Sequence, residues 1–277
     1  MTNAQAPNTP NCDPCTGALW LTIVEEAKKQ AAAEPALASF LHATILNHDS
    51  LKSALSYHLA TKLGGAEINS LQVREIIEQA LSGDASIADA VCADLHAVFE
   101  RDSACDSFLY PLLFFKGFQA LQSYRIAHWL WMADRQYLAL FFQSRIALTF
   151  GVDIHPAAKL GKGIMLDHAT GIVIGETTVV EDDVSIMQEV TLGGTGKECG
   201  DRHPKVRRGV LISAGAKILG NIEIGENAKI GAGSVVLKPV AAHTTVAGVP
   251  AVVVGQPHSM SPALDMNHQI NSDQDWG

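Results

Sequence analysis

Hydrophobic positions along the chain change their period once, near Gly151. Before that point apolar residues recur at three-to-four spacing, the mark of helices with one buried face. "ALWLTIVEEAKKQAAA" opens the series with Thr16 as its N-cap, and "PALASFLHATILNH", "LKSALSYHLATKL" and "LQVREIIEQAL" continue it. Pro35, the Gly64–Gly65 pair and Gly83 punctuate these segments. "LLFFKGFQALQSYRIAHWLWMADRQYLALFFQSRIALTF" predicts two more long helices, with His128 a packing histidine rather than a catalyst. The first half reads as all-α.

After Gly151 the aliphatic period is six. Ile154, Leu160, Leu166 and Ile172 form one run; a shift of two gives Ile174, Val180, Ile186 and Leu192. After an interruption come Val206, Ile212, Ile218, Ile224, Ile230 and Val236. A helix has no reason to keep a period of six, and a hairpin sheet would alternate at two. The hexad repeat predicts a parallel β-helix: each hexad is one flat side, three sides close a triangular coil, and the aliphatic residue points inward. Glycines such as Gly163, Gly175 and Gly231 suit the corners. The interruption, "GGTGKECGDRHPK", is polar and carries Arg202 and His203; loops projecting from a rigid scaffold are where function usually sits.

The chain is therefore expected to be an α+β multidomain protein. Its parts are a flexible N-terminal tail (1–16), an α-helical domain (17–150), a β-helix (151–254) with an extended loop (193–205), and a flexible C-terminal tail (255–277). The net charge of -9 argues against nucleic acid as a partner. The polar, proline-bearing start is no signal peptide, and no apolar run is long enough for a membrane span, so the expected location is cytoplasmic. Five scattered cysteines are not a disulfide framework, and the lone Cys12/Cys15 pair lacks the second ligand pair of a zinc site.

The motifs "VDIHPAAKLGKGIMLDHATGIVIGE", "QEVTLGGTGK" and "DRHPKV" resemble those of the serine O-acetyltransferases, within the hexapeptide-repeat acyltransferases. "AGAKILGN", "AKIGAGSVVL" and "TTVAGVPA" occur across that superfamily, and "LASFLHATILNH" and "PLLFFKGFQALQSYRIAHWLW" are similar to the family's helical domain. The resemblance runs from about Leu19 to Val254. It implies a left-handed β-helix and transfer of an acetyl group from acetyl-CoA to the hydroxyl of L-serine, the first step of cysteine biosynthesis from serine. No metal is expected. It also implies a trimer with active sites between neighbouring coils, two trimers joined into a hexamer, and feedback inhibition by L-cysteine. The resemblance also implies a complex with cysteine synthase, which the tail puts in doubt: the chain ends in "DQDWG", whereas the family's docking tail ends in isoleucine.

A serine hydroxyl needs a base near neutral pKa, and His168 in the "LDHATG" segment is the candidate. By resemblance Asp153 holds its ring; the two are fifteen residues apart, near but not at the stacked position of a coil of about eighteen. Serine is a zwitterion. The resemblance gives Asp102 and Asp167 for its ammonium, Arg202 for its carboxylate, and His203 as a further substrate contact. Gly194, Thr195, Ala214 and Ala232 are candidates for the pantetheine path, and Lys229 for a phosphate. The oxyanion donor is not named by the sequence. Three other readings stand beside this one. A sugar hydroxyl as acceptor would leave the charged residues without a purpose. A β-helix carbonic anhydrase would use His155, His168 and His203 as zinc ligands. A silent scaffold would bind partners through its helical half.

Overall fold

The computed structural model describes residues 14–196 and 199–270 of the chain. The helical half comprises α1 (Pro14–Ala33), α2 (Pro35–Leu41), α3 (Leu51–Leu63), α4 (Ser70–Gly83), α5 (Ala85–Arg101), α6 (Leu109–Leu113), α7 (Lys116–Met132) and α8 (Gln136–Phe150), with a π-helical turn at His42–Leu46. The first helix begins at Pro14, so Thr16 lies inside its first turn and is not its N-cap; proline suits that opening position because its missing N–H has no helical partner to lose. Ser50, Asn69 and Asp84 do cap their helices, and Asn69 with Gln72 forms a reciprocal capping box. No described helix is long and apolar enough to cross a membrane. Cys12 and the Cys15 side chain lie outside the described residues.

The second half coils through three parallel sheets. The first stacks β1 (Val152–Ile154), β4 (Ile172–Ile174), β7 (Thr191–Gly193), β10 (Lys217–Leu219) and β13 (Val235–Val236). The second stacks β2 (Lys159–Leu160), β5 (Val179–Val180), β8 (Lys205–Val206) and β11 (Glu223–Ile224). The third stacks β3 (Met165–Leu166), β6 (Ser185–Ile186), β9 (Leu211–Ile212), β12 (Lys229–Ile230) and β14 (Thr245–Gly248), and closes on an antiparallel β15 (Ala251–Gly255). This is a parallel β-helix with hexapeptide repeats. The hexad aliphatics fill its core as predicted, except that Leu160, on the first coil, is only half-buried.

A coil is hydrogen-bonded to its neighbours, so the first coil has an open edge that must be satisfied from elsewhere. Here α5 and α7 lie across it. Tyr124 donates to the carbonyl of Ala158, Arg125 Nη2 to that of Gly161 at 2.8 Å, and His128 Nδ1 to that of Pro156 at 2.7 Å. The Ile164 amide donates to Asp94 Oδ1 at 2.9 Å, and Asp94 Oδ2 in turn accepts from Arg125 and Gln122. The packing role expected of His128 is thus a docking contact between the two halves.

The segment expected to be a flexible C-terminal tail is packed as far as residue 270. A short helix, α9 (Pro262–Asp265), buries Pro262 and Ala263, and Ser185 Oγ donates to the Ala263 carbonyl at 2.8 Å. Met266 adds to a small cluster with Val98, Cys105 and Met165.

Candidate active site

The coil is not uniform. Ile154 pairs with Ile174, twenty positions on, whereas Ile174 pairs with Leu192, eighteen on. The backbone ladder shows where the surplus sits. The Asp167 amide donates to Ile186 as the Met187 amide donates to Ile212, so Asp167 and Met187 are equivalent. The Glu189 amide donates to Thr170 as the Gly215 amide donates to Gln188, so Thr170 and Gln188 are equivalent. The two extra residues are His168 and Ala169. Both have positive φ, 52° and 59°, although neither is glycine. They form a protruding turn on the corner between β3 and β4. The His168 side chain is 73% exposed, and its Nε2 lies 3.9 Å from Asp167 Oδ1.

Asp167 is half-buried, and burial raises its pKa; His168 opposes the rise and Asp102 adds to it. That Asp102 acts on Asp167 means the helical half brings a second carboxylate to the His168 turn. Asp102 is the residue that closes α5, with its Oδ1 accepting from the Ala104 amide at 2.9 Å. Its neighbour Arg101 ties the end of that helix to the β-helix through Ser185 Oγ at 3.2 Å.

The other predicted residues gather at a different corner, between β4 and β5. Arg202 Nη2 lies 2.5 Å from Glu176 Oε2, and Nη1 donates to the Gly200 carbonyl at 3.0 Å. The Arg202 partner holds the Glu176 carboxyl below its usual range. Thr177 Oγ1 accepts from the amides of Arg202 at 3.0 Å and His203 at 3.1 Å. The Thr177 amide donates to His203 Nδ1 at 3.2 Å. An amide can only donate, so Nδ1 is the acceptor and the neutral ring carries its proton on Nε2. Burial, then Arg202, lowers the His203 pKa in keeping with that. Gly175 lies flat against this ring, where a Cβ would stand 2.1 Å from Nε2.

Asp153 faces out of β1, and Gln143 Nε2 of α8 donates to its Oδ1 at 2.7 Å. Within one chain, therefore, Asp102, Asp167 and His168 form one group, Glu176, Thr177, Arg202 and His203 form another, and Asp153 is held by Gln143. Among the described residues no three or more His, Cys, Asp or Glu side chains are arranged to hold a metal ion, so His155, His168 and His203 do not converge. Glu176, Thr177 and Gln143 were not singled out from the sequence.

A family model described as serine acetyltransferase, N-terminal, matches residues 19–123, and one described as bacterial transferase hexapeptide matches residues 203–238. The serine acetyltransferase of Salmonella typhimurium is 58% identical over 253 residues, 91% of this chain and 93% of that one. The chain belongs to the serine acetyltransferase family. The Vibrio cholerae serine acetyltransferase structure superposes with a TM-score of 0.91 at 62% identity, covering 92% of this chain and 98% of that one. A serine acetyltransferase solved in complex with cysteine gives 0.90 at 58%, covering 92% and 99%. The Brucella abortus enzyme with coenzyme A gives 0.85 at 50%, covering 86% and 96%, and the soybean enzyme with serine gives 0.85 at 54%, covering 89% and 100%.

The candidates for the coenzyme of a serine acetyltransferase fall on two edges of the first sheet. Gly194 and Thr195 follow β7 at the start of the loop, and Thr195 packs beside Gly220. Ala214 and Ala232 sit on successive corners before β10 and β13, linked by the hydrogen bond from the Gly233 amide to the Ala214 carbonyl. Lys229, the candidate for a phosphate, is only 3% exposed. The C-terminal segment lies over it: Lys229 Nζ donates to the Gln269 carbonyl, Ser213 Oγ meets His268 Nδ1 at 2.9 Å, and Ile270 packs on Gly231. Burial lowers the Lys229 pKa.

Proposed function

We propose that this chain transfers the acetyl group of acetyl-CoA to the hydroxyl of L-serine with His168 as general base. The observation that carries the reading is the two-residue surplus that projects His168 beside Asp167. A hexapeptide coil has no structural need of it. His168 takes the proton from the serine Oγ as Oγ attacks the thioester carbonyl carbon. The tetrahedral intermediate collapses with cleavage of the carbon–sulfur bond, and the imidazolium returns its proton to the departing thiolate. The products are O-acetylserine and CoA, and His168 is neutral again. Asp102 and Asp167 would hold the ammonium of serine. Arg202 and His203 would hold its carboxylate, the arginine as a planar donor fork and the histidine through its Nε2–H.

The two groups occupy different edges of the triangular coil. A site that joins them is met when the β3–β4 edge of one chain packs against the β4–β5 edge of another. Repeated head to tail, that contact closes into a ring, which fits the trimer implied by the sequence motifs. Asp153 would then orient the His168 ring within the assembled site. L-Cysteine offers the same ammonium and carboxylate as serine, so it would compete at this site. This agrees with the solved relatives that hold serine, cysteine and coenzyme A.

The test is product identity. Incubation with acetyl-CoA and L-serine yields O-acetylserine by mass spectrometry in amounts that match the thiol released. Thiol release with no serine dependence, or acetylation of a sugar in its place, contradicts the acceptor.

A further inference from the structure

The turn that carries His168 has an unusual problem. It holds two adjacent non-glycine residues in the left-handed region, a backbone conformation that side chains disfavour. Its own backbone bonds are short-range: Ala169 to Asp167, Thr170 to His168, and Ile172 to Ala169. The corners that follow it use a single left-handed residue each, Glu189, Gly215 and Gly233. Something outside the turn must favour this one conformation.

The first turn of α7 meets it directly. A Cβ built on Gly117 would lie 2.0 Å from the Leu166 carbonyl oxygen and 3.0 Å from Ala169 Cβ. Gly117 is in ordinary helical backbone, so its role is close approach and not a special φ. The Ala169 methyl faces it and is fully buried. From the other side of the turn, Lys116 Nζ donates to Thr170 Oγ1. One helix turn thus touches the residue before His168–Asp167, the inserted Ala169 and the residue after the insertion. The far end of the same helix is fixed to the first coil by Tyr124, Arg125 and His128.

We propose that Lys116 and Gly117 are positioning residues for His168: they hold the inserted turn in the one conformation that presents the imidazole to substrate. The proposal rests on the assignment of His168 as general base. A base displaced by an ångström loses catalysis while substrate binding elsewhere persists. The expected signature is a fall in kcat with little change in the KM for acetyl-CoA.

The experiment uses the full chain and measures steady-state kinetics with serine and acetyl-CoA. Gly117→Ala is expected to lower kcat roughly ten- to a hundredfold. Lys116→Met should lower it several-fold, and Lys116→Arg should restore most of the loss. In a His168→Ala background the same substitutions should change the residual rate by less than about twofold, because a positioning effect has no base left to act on. If Gly117→Ala does not fold, the Lys116 variants in both backgrounds carry the test. Wild-type kcat in folded Gly117→Ala overturns the proposal, and so does an equal loss in both backgrounds. A His168→Ala enzyme with wild-type kcat would instead remove the base assignment on which the proposal stands, so the two failures read differently.

Discussion

Glu176 and Arg202 form an ion pair, with 2.5 Å between Oε2 and Nη2, that fixes the planar end of the arginine at the β4–β5 corner. If that fork reads the serine carboxylate, geometry matters as much as charge. Arg202→Lys keeps the charge and loses the fork; its KM for serine should rise by about ten- to a hundredfold, with the KM for acetyl-CoA unchanged. Glu176→Gln should give a smaller rise of the same kind. Equal effects on both substrates would show that the pair serves the loop and not the acceptor.

Gly175 and His203 give a sharper steric test. A methyl at position 175 would overlap the imidazole, so Gly175→Ala must turn the ring or push the loop outward. The hexad packing beneath is untouched. The expected outcome is weaker serine binding at nearly normal thermal stability, read by serine KM and by a melting curve of the same preparation.

Asp94 joins the two halves of the molecule. It is fully buried and accepts four hydrogen bonds, three from α7 side chains and one from the Ile164 amide. Asp94→Ala leaves the Arg125 charge buried without its partner and should cost on the order of 3–5 kcal/mol. Denaturant midpoints of variant and parent check this. A cost below about 1 kcal/mol would mean that the capped first coil stands without the link.

His58 sets an acid limit on the helical half. Burial, aided by Lys62, lowers its pKa to about 4 from 6.5. The unfolded chain takes up a proton at pH values where the folded chain does not. Stability is therefore complete above about pH 6.5 and declines by roughly 3 kcal/mol as pH falls to about 4. His58→Gln should flatten this part of the stability profile. The Gln119 Nε2 that now meets His58 Nε2 at 3.2 Å keeps a polar neighbour in that variant. An unchanged slope would assign the acid sensitivity to other groups.

Much of this architecture could be read from periodicity, because a hexad repeat with inward aliphatics has few alternative folds. The slip of two between Ile172 and Ile174 is visible in the sequence; only strand register assigns it to His168 and Ala169. Helix α5 escaped notice because its buried face includes Asp94 and Arg101, which interrupt the apolar pattern. Glu176 and Thr177 meet partners 26 residues away across the loop, a distance that no local pattern encodes. The burial of Lys229 could not be read either, because the packing of residues 262–270 over the β-helix leaves no periodic signal.

The most direct measurement is serine-dependent CoA release by the wild type and by His168→Ala at equal protein concentration. The account predicts a fall of about a hundred- to ten-thousandfold in kcat, the range expected for loss of a general base, with the variant still folded. A His168→Ala enzyme that releases CoA at the wild-type rate would contradict it.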